Sequence, residues 1–199
     1  MGRILHLKIT LMGSNPLIWR RFQVTESCRI DRFHQIIQIV MGWQNAHLHE
    51  FCFQDRKIGM LLDDDFDLPQ VEDETELYLS DLSLGNGDTF AYLYDFGDSW
   101  EHIVDLENIS DGVLPHFFCT NGERACPPED CGGIWGYEEM LEALKDPSDP
   151  QYNDWTEWLP DDFDPGRFPR EEVNDELKKF TVWCDEHPTE KSTPWHQLR

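Results

Sequence analysis

The nine residues Tyr94-Asp-Phe-Gly-Asp-Ser-Trp-Glu-His102 constrain this chain more than any other stretch. Side chains on a strand alternate between faces, so Tyr92 and Tyr94 share one face before the glycine. Beyond it, Trp100, His102, Val104 and Leu106 share one face, with Glu101, Ile103 and Asp105 opposite. Two alternating runs, Phe90–Asp95 and Trp100–Leu106, joined by Phe96-Gly-Asp-Ser99, read as a β-hairpin and therefore as antiparallel sheet. Asp95 and Asp98 flank Gly97 in positions that let them accept hydrogen bonds from turn amides. That duty explains the aspartates and the glycine, but not Tyr94, Trp100 and His102 beside them. The hairpin is thus both a structural turn and a candidate binding surface.

The rest of the chain fits an α+β fold around that hairpin. Ile4–Leu11 alternates, Gly13-Ser-Asn-Pro16 is a turn, and Ile18–Val24 reads as the returning strand. Ile30, Phe33, Ile36/Ile37 and Val40/Met41 recur at helical spacing, with Gly42 as the stop. His49–Gln54 reads as a strand, Asp63 to Glu76 as an acidic loop, and Leu77–Leu84 is ambiguous. Three short amphipathic helices follow, marked by Tyr137, Met140, Leu141 and Leu144, by Tyr152, Trp155 and Leu159, and by Val173, Leu177, Phe180 and Trp183. This order, ββα, then a central hairpin, then helices, predicts a largely antiparallel α+β fold. A single domain over 1–185 is expected: sheet-rich 1–110, a Cys/Pro loop 111–136 and a helical part 137–185. Residues 186–199 read as a polar tail.

Charge excludes some partners. The net charge is −24, with ten acids and no base between Asp63 and Asp88. Such a field repels phosphate backbones and disfavours nucleic acid as a ligand. The exception is residues 1–36, where Arg3, Lys8, Arg20, Arg21, Arg29 and Arg32 outnumber Glu26 and Asp31. There, a solvated basic face and a small anion patch at Arg20/Arg21 are the two readings. No apolar run reaches the roughly 18 residues of a membrane span, and the alternating N-terminus lacks a signal-peptide block. A soluble cytoplasmic protein with a protein partner is expected.

Three further groups carry potential chemistry. Cys119-x6-Cys126-x4-Cys131 supplies three thiols, with His102 or His116 as a fourth zinc ligand, although the two-residue spacing usual for zinc is missing. The other reading is a structural loop with reduced thiols. His47 and His49 stand two apart, which on one strand would aim both imidazoles to the same side, toward a metal or toward solvent. Glu129 and Asp130 follow two prolines that fix the backbone, and Asp130 is placed to cap the helix beginning near 137. Arg124 stands alone among acids from residue 58 to 144 and is expected to pair with Glu129, Asp130 or the hairpin aspartates.

Ile18-Trp-Arg-Arg21, Met41-Gly-Trp43, His47-Leu-His-Glu-Phe51, the hairpin nonapeptide and Arg124-Ala-Cys-Pro-Pro-Glu-Asp-Cys-Gly-Gly133 occur in one order, followed by Gly136-Tyr137, Asp146-Pro147 and Phe163-Asp-Pro165. In this the chain resembles the plasmid pRiA4b Orf-3-like family, whose members are often labelled passenger, "TnpR-like" proteins of mobile elements. The resemblance runs from about residue 3 to about 180. It implies an α+β fold without an assigned activity. The resolvase label does not fit these residues, since a serine recombinase needs a nucleophilic serine among phosphate-holding arginines and a basic DNA-binding segment. The resemblance also places Pro-Pro-Glu-Asp-x-Gly-Gly at the motif core, with the Cys131 position outside it.

Two functional readings follow. One is a non-catalytic interaction module that uses Tyr94, Asp95, Asp98, Trp100, His102, Arg124, Glu129 and Asp130. The other is a zinc-dependent hydrolase with Asp95, Asp98, His102 and the His47/His49 pair as ligands or acid–base groups. The absence of a nucleotide loop or nucleophile elbow favours the first.

Overall fold

Alternating strands become one sheet. The computed structural model describes residues 2–61 and 71–191, and in it eight strands are ordered β5-β4-β3-β6-β7-β1-β2-β8. These are β1 (Gly2–Leu11), β2 (Ile18–Thr25), β3 (His49–Phe53), β4 (Arg56–Gly59), β5 (Val71–Asp73), β6 (Thr89–Tyr94), β7 (Trp100–Gly112) and β8 (Phe118–Glu123). Neighbours run antiparallel except β4 and β5. The hairpin register places Tyr94 opposite Trp100 and Tyr92 opposite His102. The helices are α1 (Ile30–Met41), α2 (Gly133–Ala143), α3 (Tyr152–Trp158) and α4 (Arg170–Glu186), and a short 3-10 turn covers Leu79–Leu82.

Three strands and β7's full length exceed what alternation predicts. β4 and β5 are too short to show a period. Most of the acidic stretch read as a loop lies outside the described residues as far as Gln70, and so does the end of the polar tail from residue 192. β8 lies in the segment read as a Cys/Pro loop. Its Thr-Asn-Gly composition is poor in strand formers, and pairing with β2 makes it a strand. β7 runs on to Gly112 because β1 continues to pair with it past a bulge at His6/Leu7.

One face of the sheet is covered by α1, whose residues are buried except Arg32. Phe33 sits at the centre, 5.6 Å from the Phe51 ring and 6.1 Å from Phe22. Truncating such a ring to alanine costs about 3–5 kcal/mol. Gly42, at φ 109°, ends α1 in the left-handed region, as its place after the apolar stripe predicts. α4 then packs along α1 and β8 through Val173, Leu177, Phe180 and Cys184.

Alternation hides one fact: three inward-facing strand positions are polar. Arg20, His49 and His102 are all buried. Buried polar groups require partners, and Arg20 finds them in backbone carbonyls. Its guanidinium donates to Val40 O (2.8 Å), Met41 O (3.3 Å), Trp19 O (2.8 Å), Glu123 O (2.7 Å) and Arg124 O (2.8 Å). It also stacks on Phe168, 4.0 Å from the ring centroid. The charge rests at the negative end of the α1 dipole, and burial lowers its pKa to about 10, so it stays protonated at neutral pH.

This corrects both readings at Arg20, while Arg3 and Arg21 remain partly solvated. Arg20 neither faces solvent nor waits for an anion. Arg3 pairs with Glu26 and Arg21 with Glu107. Arg29 pairs with Asp31, Arg32 donates to Cys184 O and His187 O, and Lys8 lies over Trp19. No described helix is long and apolar enough to cross a membrane.

Candidate functional site

The hairpin turn docks on the Pro-Pro-Glu-Asp-Cys-Gly-Gly loop, and glycine makes this approach feasible. Gly132 and Gly133 both have positive φ, at 90° and 68°. A Cβ on Gly133 would lie 2.5 Å from Asp98 O, far inside contact distance. The Asp98 carboxylate accepts from Gly132 N–H at 3.1 Å, so it caps the neighbouring loop instead of its own turn. Asp95 does bind its own turn, accepting from Gly97 N–H at 2.8 Å.

Tyr94 and Glu129 tie a third loop to these two. The Tyr94 hydroxyl accepts from Ala46 N–H (2.9 Å) and donates to Glu129 Oε1 (3.0 Å). Gln44 N–H donates to that same Oε1 at 2.6 Å. Burial raises the pKa of Glu129, and burial against the Glu129 charge drives the Tyr94 phenol far above its usual value. His47 enters this junction from the α1–β3 connection. Its Nε2 lies 3.1 Å from Asp130 Oδ1, 3.6 Å from Asp95 Oδ2 and 3.7 Å from Glu129 Oε2. The three connections 42–48, 95–99 and 124–132 therefore bring one imidazole against three carboxylates.

The two histidines expected to act together diverge. β3 starts at His49, so His47 lies in the preceding turn and the alternation rule does not reach it. His49 points into the core, stacks on His34 with centroids 3.4 Å apart, and bonds Glu74 Oε2 at 2.6 Å. His34 in turn bonds the Tyr92 hydroxyl and Asn45, and Gln38 donates to the same hydroxyl. Burial holds His34 and His49 at about 3 and raises Glu74 to about 7. Isolated polar residues on the apolar stripe of α1, His34 and Gln38, are the sequence signal for this network.

His102 and Trp100 are core residues. His102 Nδ1 lies 3.3 Å from Tyr92 O, its ring stands edge-on to Trp43, and burial lowers it to about 4. Trp100 packs on Trp43 at 5.1 Å. Neither meets His47.

Arg124 pairs with none of the acids expected for it. Among the described residues its side chain lies against Tyr137, whose hydroxyl feels its charge. Its backbone, at φ 68°, aims its carbonyl at Arg20. Asp130 is not a helix cap either, because α2 starts at Gly133 behind Gly132.

Among the described residues, no cysteine joins a group of ligand atoms close enough to share an ion. The group of His, Cys, Asp or Glu atoms close enough to share an ion among the described residues is His47, Asp95 and Asp130. All six cysteines are free thiols. Burial pushes Cys119 up to about 11 and Cys131 to about 12, and it raises Cys126 well above the usual thiol value too.

Beside Asp130 the surface opens into a depression of about 440 Å³ lined by Asp130, Gln151, Asp154, Trp155 and Trp158. The two indoles meet edge to face, with centroids 5.4 Å apart. Spacing on the second short helix marks Trp155 as core, yet no residue of α3 is fully buried and Trp158 is 47% exposed.

Fold and site together define an acidic α+β domain with a His–carboxylate junction and an aromatic–acidic depression beside it. The chain belongs to the family of plasmid pRiA4b ORF-3-like proteins, whose model matches residues 3–172. It is 37% identical over 161 residues to the uncharacterized protein y4hQ of Sinorhizobium fredii, spanning 79% of this chain and 81% of that one. It is also similar to the crystal structure of MM3350, a protein of unknown function from Methanosarcina mazei Go1. That match has a TM-score of 0.76 and 41% identity, and covers 87% of this chain and 99% of the other.

Proposed function

We propose that this chain is a non-catalytic interaction module of a mobile-element-associated family, acting in the cytoplasm, and that it binds a basic segment of a protein partner. The observation that carries the reading is the depression in which Trp155 and Trp158 stand opposite Asp130 and Asp154. Indole faces attract cations, and carboxylates on the same wall add charge complementarity. A lysine or arginine side chain satisfies both, while an acidic or neutral one satisfies neither. The net charge of −24 steers basic partners toward the surface. Phe96, 52% exposed at the hairpin tip, offers apolar contact beyond the depression.

Tryptophan fluorescence tests this, with lysine- and arginine-containing pentapeptides set against glutamate-containing ones. Basic peptides should quench or shift the emission saturably, and Trp158→Ala should weaken binding at least tenfold. Equal response to basic and acidic peptides, or full affinity in Trp158→Ala, would overturn the reading. Retained melting temperature confirms that the variant is folded, since Trp158 is half-exposed.

A further inference from the structure

The His47 junction has a property that ion pairing alone does not explain. Its Nε2 has three carboxylate oxygens from three residues within 3.1–3.7 Å, yet it is aligned for a hydrogen bond with none of them. An imidazolium bound to one carboxylate would turn its N–H along that line. Glu129 Oε2 has the same character. Its side chain is only 9% exposed, and the atom is shielded from water and has no hydrogen-bond partner. A buried carboxylate oxygen without a partner is costly, because it has given up water and gained nothing in return. His47 Nε2 and one oxygen each from Asp95 and Asp130 all lie within 4.8 Å of one another. Around a divalent ion bound at about 2.0–2.2 Å, adjacent donors stand about 3 Å apart and opposite ones about 4 Å.

The surroundings orient these groups as outer partners orient metal ligands. Asp95 commits Oδ1 to Gly97 N–H and leaves Oδ2 facing His47. Glu129 commits Oε1 to the Tyr94 hydroxyl and Gln44 N–H and leaves Oε2 3.7 Å from His47 Nε2. In Asp95 and Glu129 one oxygen is thus anchored while the other faces His47.

We propose that His47, Asp95 and Asp130 form a binding site for a divalent transition-metal ion, Mn²⁺ or Zn²⁺, with His47 Nε2 as the nitrogen ligand, one oxygen from each aspartate, and Glu129 Oε2 beside His47 as a supporting charge. An imidazole ligand selects these ions over Mg²⁺ and Ca²⁺, which take oxygen. The site contains no cysteine and neither His49 nor His102, so it differs from both sequence-based ligand sets. It borders the tryptophan depression through Asp130 but needs no residue of α3.

Mn²⁺ titration read by the electron paramagnetic resonance of the free aquo ion tests it on the full chain. One Mn²⁺ per chain should bind at physiological ionic strength and be displaced by equimolar Zn²⁺ but not by equimolar Mg²⁺. His47→Gln and Asp130→Asn should each weaken binding at least tenfold, in the range usual for loss of a ligand or its support. Trp158→Ala should leave Mn²⁺ affinity unchanged, which separates this site from the peptide-binding reading. Weak uptake at several sites, displaced equally by Mg²⁺ and indifferent to both variants, would be condensation on an acidic surface and would overturn the proposal. So would no binding at all. Should His47→Gln fail to fold, Asp130→Asn decides alone, because that side chain is 70% exposed and caps nothing.

Discussion

Gly133 lies so close to Asp98 that no side chain fits between the two loops at this point. A Cβ there would meet the Asp98 carbonyl oxygen at 2.5 Å. This contact seats the hairpin turn on the Pro-Pro-Glu-Asp loop, and through that loop it positions Glu129 and Asp130 against His47.

Gly133→Ala should therefore cost more than a backbone preference. Gly87 is the control: its φ is 89°, but a Cβ there meets nothing within 4 Å. Alanine at Gly87 should cost about 1–2 kcal/mol, the left-handed penalty alone. Alanine at Gly133 should cost at least twice that, because backbone must move. Urea unfolding of both variants checks this. Equal losses would mean that the two loops part without resistance.

The hairpin, the first two strands and all four helices were legible because each carries a regular period. What the period cannot show is which face positions hold polar residues for the core. Arg20, His49 and His102 alternate correctly and look like surface or site residues, yet each is buried with partners distant in sequence. The His47/His49 pair was misread for a related reason: two-residue spacing aims side chains alike only if both lie in the strand, and β3 begins at the second. Asp95, Glu129, Asp130 and His47 were each visible as candidates. Their convergence depends on three loops meeting in space, which no local pattern encodes. Trp155 was hidden by helical spacing that reads as core, and Trp158 lies off that stripe and carried no signal of its own.

Arg20→Lys tests the buried guanidinium. Five carbonyls from α1, β2 and the end of β8 share its fork of donors, and Phe168 stacks on it. A lysine has three donors on a point charge and cannot reach both edges of this ring of acceptors. Each carbonyl left without a partner costs about 1–3 kcal/mol, so the loss should be at least 2 kcal/mol by urea unfolding. A loss below 0.5 kcal/mol, the usual scale for surface changes, would show that the carbonyls find other donors.

Stability should fall on the acid side. His34 and His102 ordinarily titrate near 6.5, and burial lowers them to about 3 and about 4. Between these values the unfolded chain binds protons that the folded chain refuses. Stability is thus whole above pH 6.5 and declines as pH falls toward 4, by at most about 1.4 kcal/mol per pH unit for each group. Glu74 works oppositely: raised from 4.5 to about 7, its contribution is full below 4.5 and fades as pH rises through 7. Thermal melts from pH 8 to pH 4 should peak between about 6 and 7, and His102→Phe should flatten the acid limb. A flat profile from pH 7 to pH 5 would mean that both imidazoles ionise in place.

Thiol chemistry separates the cysteine loop from a metal site. Cys28, Cys119, Cys131 and Cys184 are buried, and burial lifts every one of their thiols above the ordinary value. Cys126 is raised for the same reason. Cys52, half-buried, is raised as well, by burial and by its thiol donating to Glu50 Oε1 at 3.2 Å, but Lys57 beside it pulls the other way. Because the thiolate is the reactive form and Cys52 is shifted less than the other five, the native protein should show one faster thiol toward an aromatic disulfide reagent and five that react only on unfolding. Cys52→Ser should remove that first phase and leave the rest. Adding a chelator should change neither phase, since no described group of ligands contains a cysteine. A chelator that speeds labelling of Cys119, Cys126 or Cys131 would instead place a metal among those thiols and move the metal chemistry of this chain away from His47.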